Sequence, residues 1–103
     1  MGQKDFFIRL DEENRLRVRI VTERGTVAAF MVQYEATIDG RLYPVGRYDT
    51  SHDDAHRDIL DGSGQNVGKD WLPGWPFNAA LQYAMRDLRA NWPQYRDDFI
   101  RSM

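Results

Sequence analysis

The chain contains no cysteine among its 103 residues. This absence excludes disulfide bonds, thiolate catalysis and zinc sites built from cysteine, and it fits a cytoplasmic protein. Lysine is almost as scarce: only Lys4 and Lys69 are lysines, and the other twelve basic residues are arginines. The net charge of −2 does not fit a protein that coats nucleic acid through a strongly basic surface.

Long apolar runs are also missing. No segment approaches the roughly 20 apolar residues of a membrane span, and the N-terminal MGQKDFFIRLDEEN has no apolar run of signal-peptide length. We therefore expect no membrane association. Apolar residues make up 42% of the chain and aromatic residues 13%, which is enough for one hydrophobic core. The sequence predicts one cytoplasmic domain over residues 1–103.

The first half of the chain alternates apolar and polar residues, as β-strands do. Residues 15–20 and 27–38 show this pattern most clearly. Asp39-Gly40 lies between two alternating segments and predicts a tight hairpin, because both residues tolerate positive φ. We predict a four-stranded antiparallel meander over about residues 5–49.

The second half predicts a loop and two helices. Residues 61–76 are rich in glycine and include Trp71 and Trp75, which indicates a long loop. Pro93 is expected to end a first helix, over about residues 77–92, and to begin a second, over about 93–102. The first helix has an apolar stripe, and its charged residues are expected to face water. The stripe is Leu81, Ala84, Met85, Leu88 and Trp92, and the charged residues are Arg86, Asp87 and Arg89. The predicted fold class is α+β, with these helices covering one face of the sheet.

The segment RYDTSHDDAHRDILD, residues 47–61, contains both histidines of the chain. Ser51 followed by Asp54 resembles a helix capping box, so a short helical turn is expected here. On such a turn His52 and His56 would lie on the same face.

This segment allows three interpretations. Two imidazoles four residues apart, with a carboxylate, would suit a transition metal, although our prediction includes no metal or cofactor. In metal-free RNA cleavage, His52 and His56 would form an acid/base pair, Arg47 would stabilise charge on the phosphate, and Tyr48 or Asp49 would orient the reacting groups. In the third interpretation, the histidines only tie a loop to the sheet.

The segment resembles a small prokaryotic domain family of uncharacterised function through the pattern R-Y-D-x-x-H-x-x-x-H-x-D. It is similar, more distantly, to toxins of the TumE class from toxin–antitoxin pairs. The chain departs from the family pattern at Asp53, where a glycine is expected, and at Ala55, where proline is common. The resemblance implies a short accessory protein or growth inhibitor that acts on RNA or translation. The matching residues are Arg47, Tyr48, Asp49, His52, His56 and Asp58.

A second candidate surface is formed by Arg15, Arg17 and Arg19, which alternate along one predicted strand. These arginines are predicted to contact an RNA phosphate backbone, unless they pair only with acidic neighbours. The leading hypothesis is a toxin-like protein that binds or cleaves RNA at the six residues of the pattern. The alternative is a non-enzymatic interaction module, either a homodimeric subunit or one that binds a protein partner such as an antitoxin.

Overall fold

The computed structural model describes all 103 residues, as a six-stranded antiparallel sheet and one long helix. Each strand pairs with the next strand in the sequence, so the sheet is a simple meander. The predicted α+β class is confirmed, whereas the predicted number of four strands is wrong. The elements are β1 (Gly2–Arg9), β2 (Asn14–Glu23), β3 (Thr26–Ile38), β4 (Arg41–His52), β5 (Asp54–Leu60), β6 (Asn66–Leu72) and α1 (Phe77–Ser102).

The hairpin between β3 and β4 is the one that the sequence predicts. Asp39 and Gly40 have φ values of 51° and 78°, which place both residues in the left-handed region. Glycine adopts this region freely and aspartate tolerates it better than most residues. The turn therefore follows directly from its two residues.

The predicted helical turn near the histidines is wrong. β4 continues to His52 and β5 begins at Asp54, so Asp53 alone forms the tip of a tight hairpin. Asp53 has a φ of 73°, a conformation that glycine adopts without steric cost. This explains physically why a glycine is expected at this position.

The predicted loop over residues 61–76 contains β6. Its sequence, NVGKDWL, has little of the β-branched and aromatic content that marks a strand. It becomes a strand because it pairs with β5 over nearly its whole length, for example Asp58 with Lys69. Pairing with a neighbour in space thus outweighs weak local propensity.

The two predicted helices form one continuous helix that includes Pro93. Proline removes one backbone hydrogen bond from a helix. Here the helix packs on the sheet on both sides of the proline, through the buried Leu88 and Phe99. The helix contacts β3 most extensively and shields one face of the sheet. The structure contains no helix whose length and apolarity would suit a membrane crossing.

Candidate functional site

The register of the sheet divides the RYDTSHDDAHRDILD segment between its two faces. Consecutive residues of a strand point to opposite faces. Tyr48 faces α1 and reaches Asp87 on that helix, so Arg47 and Asp49 lie on the other face, which no helix covers. We call this second face the open face. Asp49 pairs with His56, and Arg47 pairs with Asp58, which places all four on the open face.

His56 is the centre of a polar cluster on the open face. Its Nε2 lies 3.0 Å from Asp49 Oδ1 and 3.6 Å from Asp58 Oδ2. The His56 side chain is 0% exposed, and the two carboxylates are 14% and 12% exposed. We call Asp49, His56 and Asp58 the triad. A buried imidazole between two carboxylates is an arrangement that can hold a proton or a cation.

The two ring nitrogens of His56 have different environments. Nδ1 lies 3.2 Å from the backbone oxygen of Asp54. A carbonyl oxygen only accepts hydrogen bonds, so Nδ1 carries the proton in that contact. Nε2 makes no hydrogen bond although Asp49 Oδ1 is only 3.0 Å away. The oxygen lies off the direction in which an Nε2 proton would point, so Nε2 is left without a hydrogen-bond partner despite the short distance.

Aromatic side chains cover the triad. The His52 ring stacks on the His56 ring with centroids 5.6 Å apart, and the centroid of the Trp71 ring lies 5.0 Å from that of His56. His52 is itself exposed, and Trp71 is 48% exposed. The predicted proximity of the two histidines is thus present, but it arises from a hairpin and not from a helical turn.

Each carboxylate of the triad is held by further groups. Asp58 Oδ1 accepts a hydrogen bond of 2.8 Å from Asn66 and lies 3.5 Å from Lys69 Nζ. Asp49 Oδ1 accepts hydrogen bonds from the backbone and the hydroxyl of Ser51. These contacts fix the carboxylates, and they leave Asp58 Oδ2 directed at His56.

A chain of polar contacts continues across the open face towards β1. Arg47 Nε donates to Gln33 at 2.8 Å, and Gln33 in turn donates to Glu35 at 2.6 Å. Glu35 also forms an ion pair of 2.8 Å with Arg15, whose guanidinium lies over the exposed ring of Phe7. The predicted phosphate-binding residue Arg47 and the predicted arginine stripe therefore belong to one continuous surface.

The three arginines of the stripe share the open face but differ in their partners. Arg15 pairs with Glu35, and Arg19 pairs with Asp5, each at 2.8 Å. Arg17 is exposed and forms neither an ion pair nor a side-chain hydrogen bond. Arg17 thus retains its full capacity for an external anion.

Tyr48 is separated from the other predicted site residues, because it lies on the helix side of the sheet. Its hydroxyl donates to Asp87 at 2.6 Å, and Tyr95 donates to the same carboxylate at 2.7 Å. Asn91 donates to it as well, at 2.8 Å, and Arg57 Nη1 lies 3.9 Å away. The expectation that Asp87 faces water is wrong. Burial, together with the hydrogen bond to Asp87, raises the pKa of Tyr48 above its ordinary range.

The same environment makes the stability of the fold decrease at alkaline pH. Burial, reinforced by the hydrogen bond to Asp87, raises the pKa of Tyr95 from 10.0 to about 12. The unfolded chain therefore loses this proton at lower pH than the folded protein does, so the stability contributed by Tyr95 is complete below pH 10 and is lost as the pH rises towards 12. We expect Tyr95→Phe to flatten the fall of Tm across this window. Tyr83→Phe, at an exposed position on the same helix, is the control, and an equal effect from both variants would contradict the prediction.

An apolar cavity lies between α1 and strands β4 and β5, and Asp58 is the only triad residue in its lining. It has a volume of 150 Å³ and a mainly apolar lining that includes Val45, Leu88 and Phe99. Small-molecule pockets typically have volumes of about 300–1,000 Å³. We therefore regard this cavity as a packing feature of the helix side, and the triad on the open face as the candidate functional site.

Five of the six predicted site residues lie together on or beside the open face, and Tyr48 does not. Sequence analysis missed Lys69, Asn66 and Trp71, which complete the surroundings of the triad from β6. The sequence predicts a loop for these three residues because β6 lacks an alternating pattern. Asp87 was missed because the sequence does not show which residue of β4 it meets.

Comparison with known proteins identifies the family but gives no functional relative. Residues 1–103 match the model of a domain of unknown function, DUF7718, so the chain belongs to that family. This agrees with the expected resemblance to an uncharacterised domain family. No curated protein and no solved structure matches the chain, so the resemblance to TumE-class toxins gains no support from these comparisons.

Proposed function

We propose that this DUF7718 domain binds single-stranded RNA across the open face of its sheet and cleaves it next to the triad. One observation carries the proposal: a cross-strand row that contains three cationic side chains and one exposed aromatic ring crosses the open face beside the buried histidine. The register pairs along this row are Phe7–Arg17, Arg17–Gln33, Gln33–Arg47, Arg47–Asp58 and Asp58–Lys69.

The row combines the two interactions that single-stranded RNA needs. Exposed aromatic rings can stack on bases, and cationic side chains can follow the phosphates. Phe7, 56% exposed, lies at one end of the row, and Trp71, 48% exposed, lies beside Lys69 at the other end. A bound strand would cross the β-strands and pass over Arg17 and Arg47.

The chemistry proposed for this surface assigns different roles to the two histidines. His56 has no exposed side-chain surface and therefore does not contact RNA. His52 is exposed and stacks on His56, so it is the histidine that would take a proton from the ribose 2′-hydroxyl. The oxygen would then attack the adjacent phosphorus as the bond from phosphorus to the 5′-oxygen breaks, and the leaving 5′-oxygen would take a proton from protonated His52 or from water. The products are a 2′,3′-cyclic phosphate and a free 5′-hydroxyl, with Arg47 stabilising the charge on the phosphate.

Binding can be tested with a fluorescently labelled single-stranded RNA of about 12 nucleotides. We expect Arg17→Ala to weaken binding and to reduce the slope of log Kd against log salt concentration by about 0.7, the value for one lost phosphate contact in single strands. We expect Phe7→Ala to cost about 1–3 kcal/mol of binding free energy through lost stacking. Arg89→Ala, at an exposed position on α1, is the control.

Cleavage is tested separately with the same RNA, by searching for products that end in a 2′,3′-cyclic phosphate. His52→Ala should abolish these products while leaving the Kd for RNA within about twofold. RNA that binds and stays intact would contradict the cleavage step alone. Equal binding by Arg17→Ala, Arg89→Ala and the unmodified protein would contradict the proposed RNA surface.

A second candidate, a protein-interaction module, is favoured by β1. This strand lies at the edge of the sheet and is exposed along almost its entire length. Unpaired edge strands can accept a strand from a partner, either a second copy of the chain or an antitoxin-like protein. Light scattering that shows a dimer, or recovery of one stoichiometric protein partner without RNA, would support this candidate in place of the first.

A further inference from the structure

We propose that the triad binds a divalent first-row transition-metal ion, with Mn²⁺ and Zn²⁺ as the best candidates. Asp49, His56 and Asp58 each offer one ligand atom, and these three atoms all lie within 4.8 Å of one another. The inference does not rest on the RNA proposal, because it concerns binding of the metal alone.

The strongest support is the unpartnered Nε2 of His56. The side chain is completely buried, its Nδ1 already donates to the Asp54 backbone, and Nε2 makes no hydrogen bond. With the proton on Nδ1, Nε2 presents a lone pair to two carboxylates that also present lone pairs. A cation among the three atoms would satisfy all of them.

The two separations that involve His56 are close to those of shared coordination, and the two carboxylate ligand atoms lie within 4.8 Å of each other. Ligand atoms held about 2.1 Å from one ion are separated from each other by roughly 3.0–3.5 Å in octahedral or tetrahedral geometry. The observed separations are 3.0 Å from Nε2 to Asp49 Oδ1 and 3.6 Å from Nε2 to Asp58 Oδ2. In a metal site, the neighbouring ligands lie to the side of the line from the imidazole nitrogen to the ion. Asp49 Oδ1 likewise lies to the side of the Nε2 lone-pair direction, so no hydrogen bond joins these two atoms.

The surroundings of the triad match those of metal sites. Ligating histidines usually donate their second ring nitrogen to a carbonyl or carboxylate, and ligating carboxylates are themselves hydrogen-bonded. Asp54 supplies the carbonyl for His56, and Asn66 supplies the hydrogen bond for Asp58. Imidazole favours transition metals, whereas Mg²⁺ and Ca²⁺ prefer oxygen ligands only. The mixed ligand set therefore favours Mn²⁺ or Zn²⁺.

The test measures metal binding by chelator-stripped protein in the absence of RNA. Electron paramagnetic resonance reports bound Mn²⁺ through loss of the signal of the free ion, and Tm reports stabilisation by Mn²⁺, Zn²⁺, Mg²⁺ or Ca²⁺. We expect one Mn²⁺ per chain, a rise of Tm with Mn²⁺ or Zn²⁺ and a smaller rise with Mg²⁺ or Ca²⁺. Asp49→Asn should weaken Mn²⁺ binding by more than about 10-fold. Asp70→Asn, on the helix side of the same sheet, should leave it unchanged.

Nitrogen-15 spectra make the test independent of stability changes in the variants. Zn²⁺ should shift the Nε2 resonance of His56 in the unmodified protein far more than either nitrogen of His52. Equal Mn²⁺ binding by Asp49→Asn and Asp70→Asn, or an unshifted His56 resonance, would overturn the proposal. Metal binding without RNA cleavage would support the metal site and contradict only the proposed cleavage.

Discussion

Replacing His56 with alanine is expected to lower the free energy of unfolding by about 2–4 kcal/mol, the range for truncating a large buried side chain. For a chain of about 100 residues this corresponds to a fall in Tm of more than about 10 °C. The side chain is wholly buried, and its removal leaves a cavity beside the carboxylates of Asp49 and Asp58. Thermal melting at neutral pH in the presence of a chelator measures the effect.

His52→Ala is the matched control. Its side chain is exposed and stacks on His56 from outside, so we expect its removal to change stability by less than about 0.5 kcal/mol. A similar large loss in both variants would mean that the two histidines act together as a structural clasp, and it would favour the interaction-module candidate. A stable His52→Ala protein permits the RNA assays to be interpreted as tests of chemistry.

Replacing Asp87 with alanine is expected to lower the free energy of unfolding by about 2–4 kcal/mol. The carboxylate is 11% exposed, and its loss leaves the hydroxyls of the buried Tyr48 and the half-buried Tyr95 without their acceptor. Unsatisfied buried groups cost about 1–3 kcal/mol, and removing one member of a buried charge pair costs about 3–5 kcal/mol. Arg57 is affected as well, although its second ion pair, of 2.8 Å with Asp70, remains.

Asp98→Ala provides the control for this prediction. Asp98 lies on the same helix and is 57% exposed, and its partners are the neighbouring Arg101 and Gln94 of that helix, so we expect a change below about 0.5 kcal/mol. Chemical denaturation of the two variants gives the comparison directly. Equal stability of Asp87→Ala and Asp98→Ala would show that the polar network does not anchor the helix to the sheet.

His56 and Asp87 show how much of the candidate site can be predicted from the sequence. The grouping of Arg47, Asp49, His56 and Asp58 was predicted, because the four lie close together in the sequence and a single hairpin joins them. The burial of His56 was not predictable, since it depends on Trp71 from β6, 15 residues further along the chain. The contact between Tyr48 and Asp87 joins residues 39 positions apart, and no local sequence pattern predicts a contact between residues so far apart.

The sequence alone determined the features that arise from local periodicity and turn chemistry. It gave the α+β class, the hairpin at Asp39-Gly40 and the placement of Arg15, Arg17 and Arg19 on one face, because the side chains of a strand alternate with a fixed period of two. Only the tertiary structure decided that β5 and β6 extend the sheet and that one helix continues through Pro93. The tertiary structure also determined the position and burial of the triad residues, because strand register and burial are set by long-range pairing and packing rather than by local propensity.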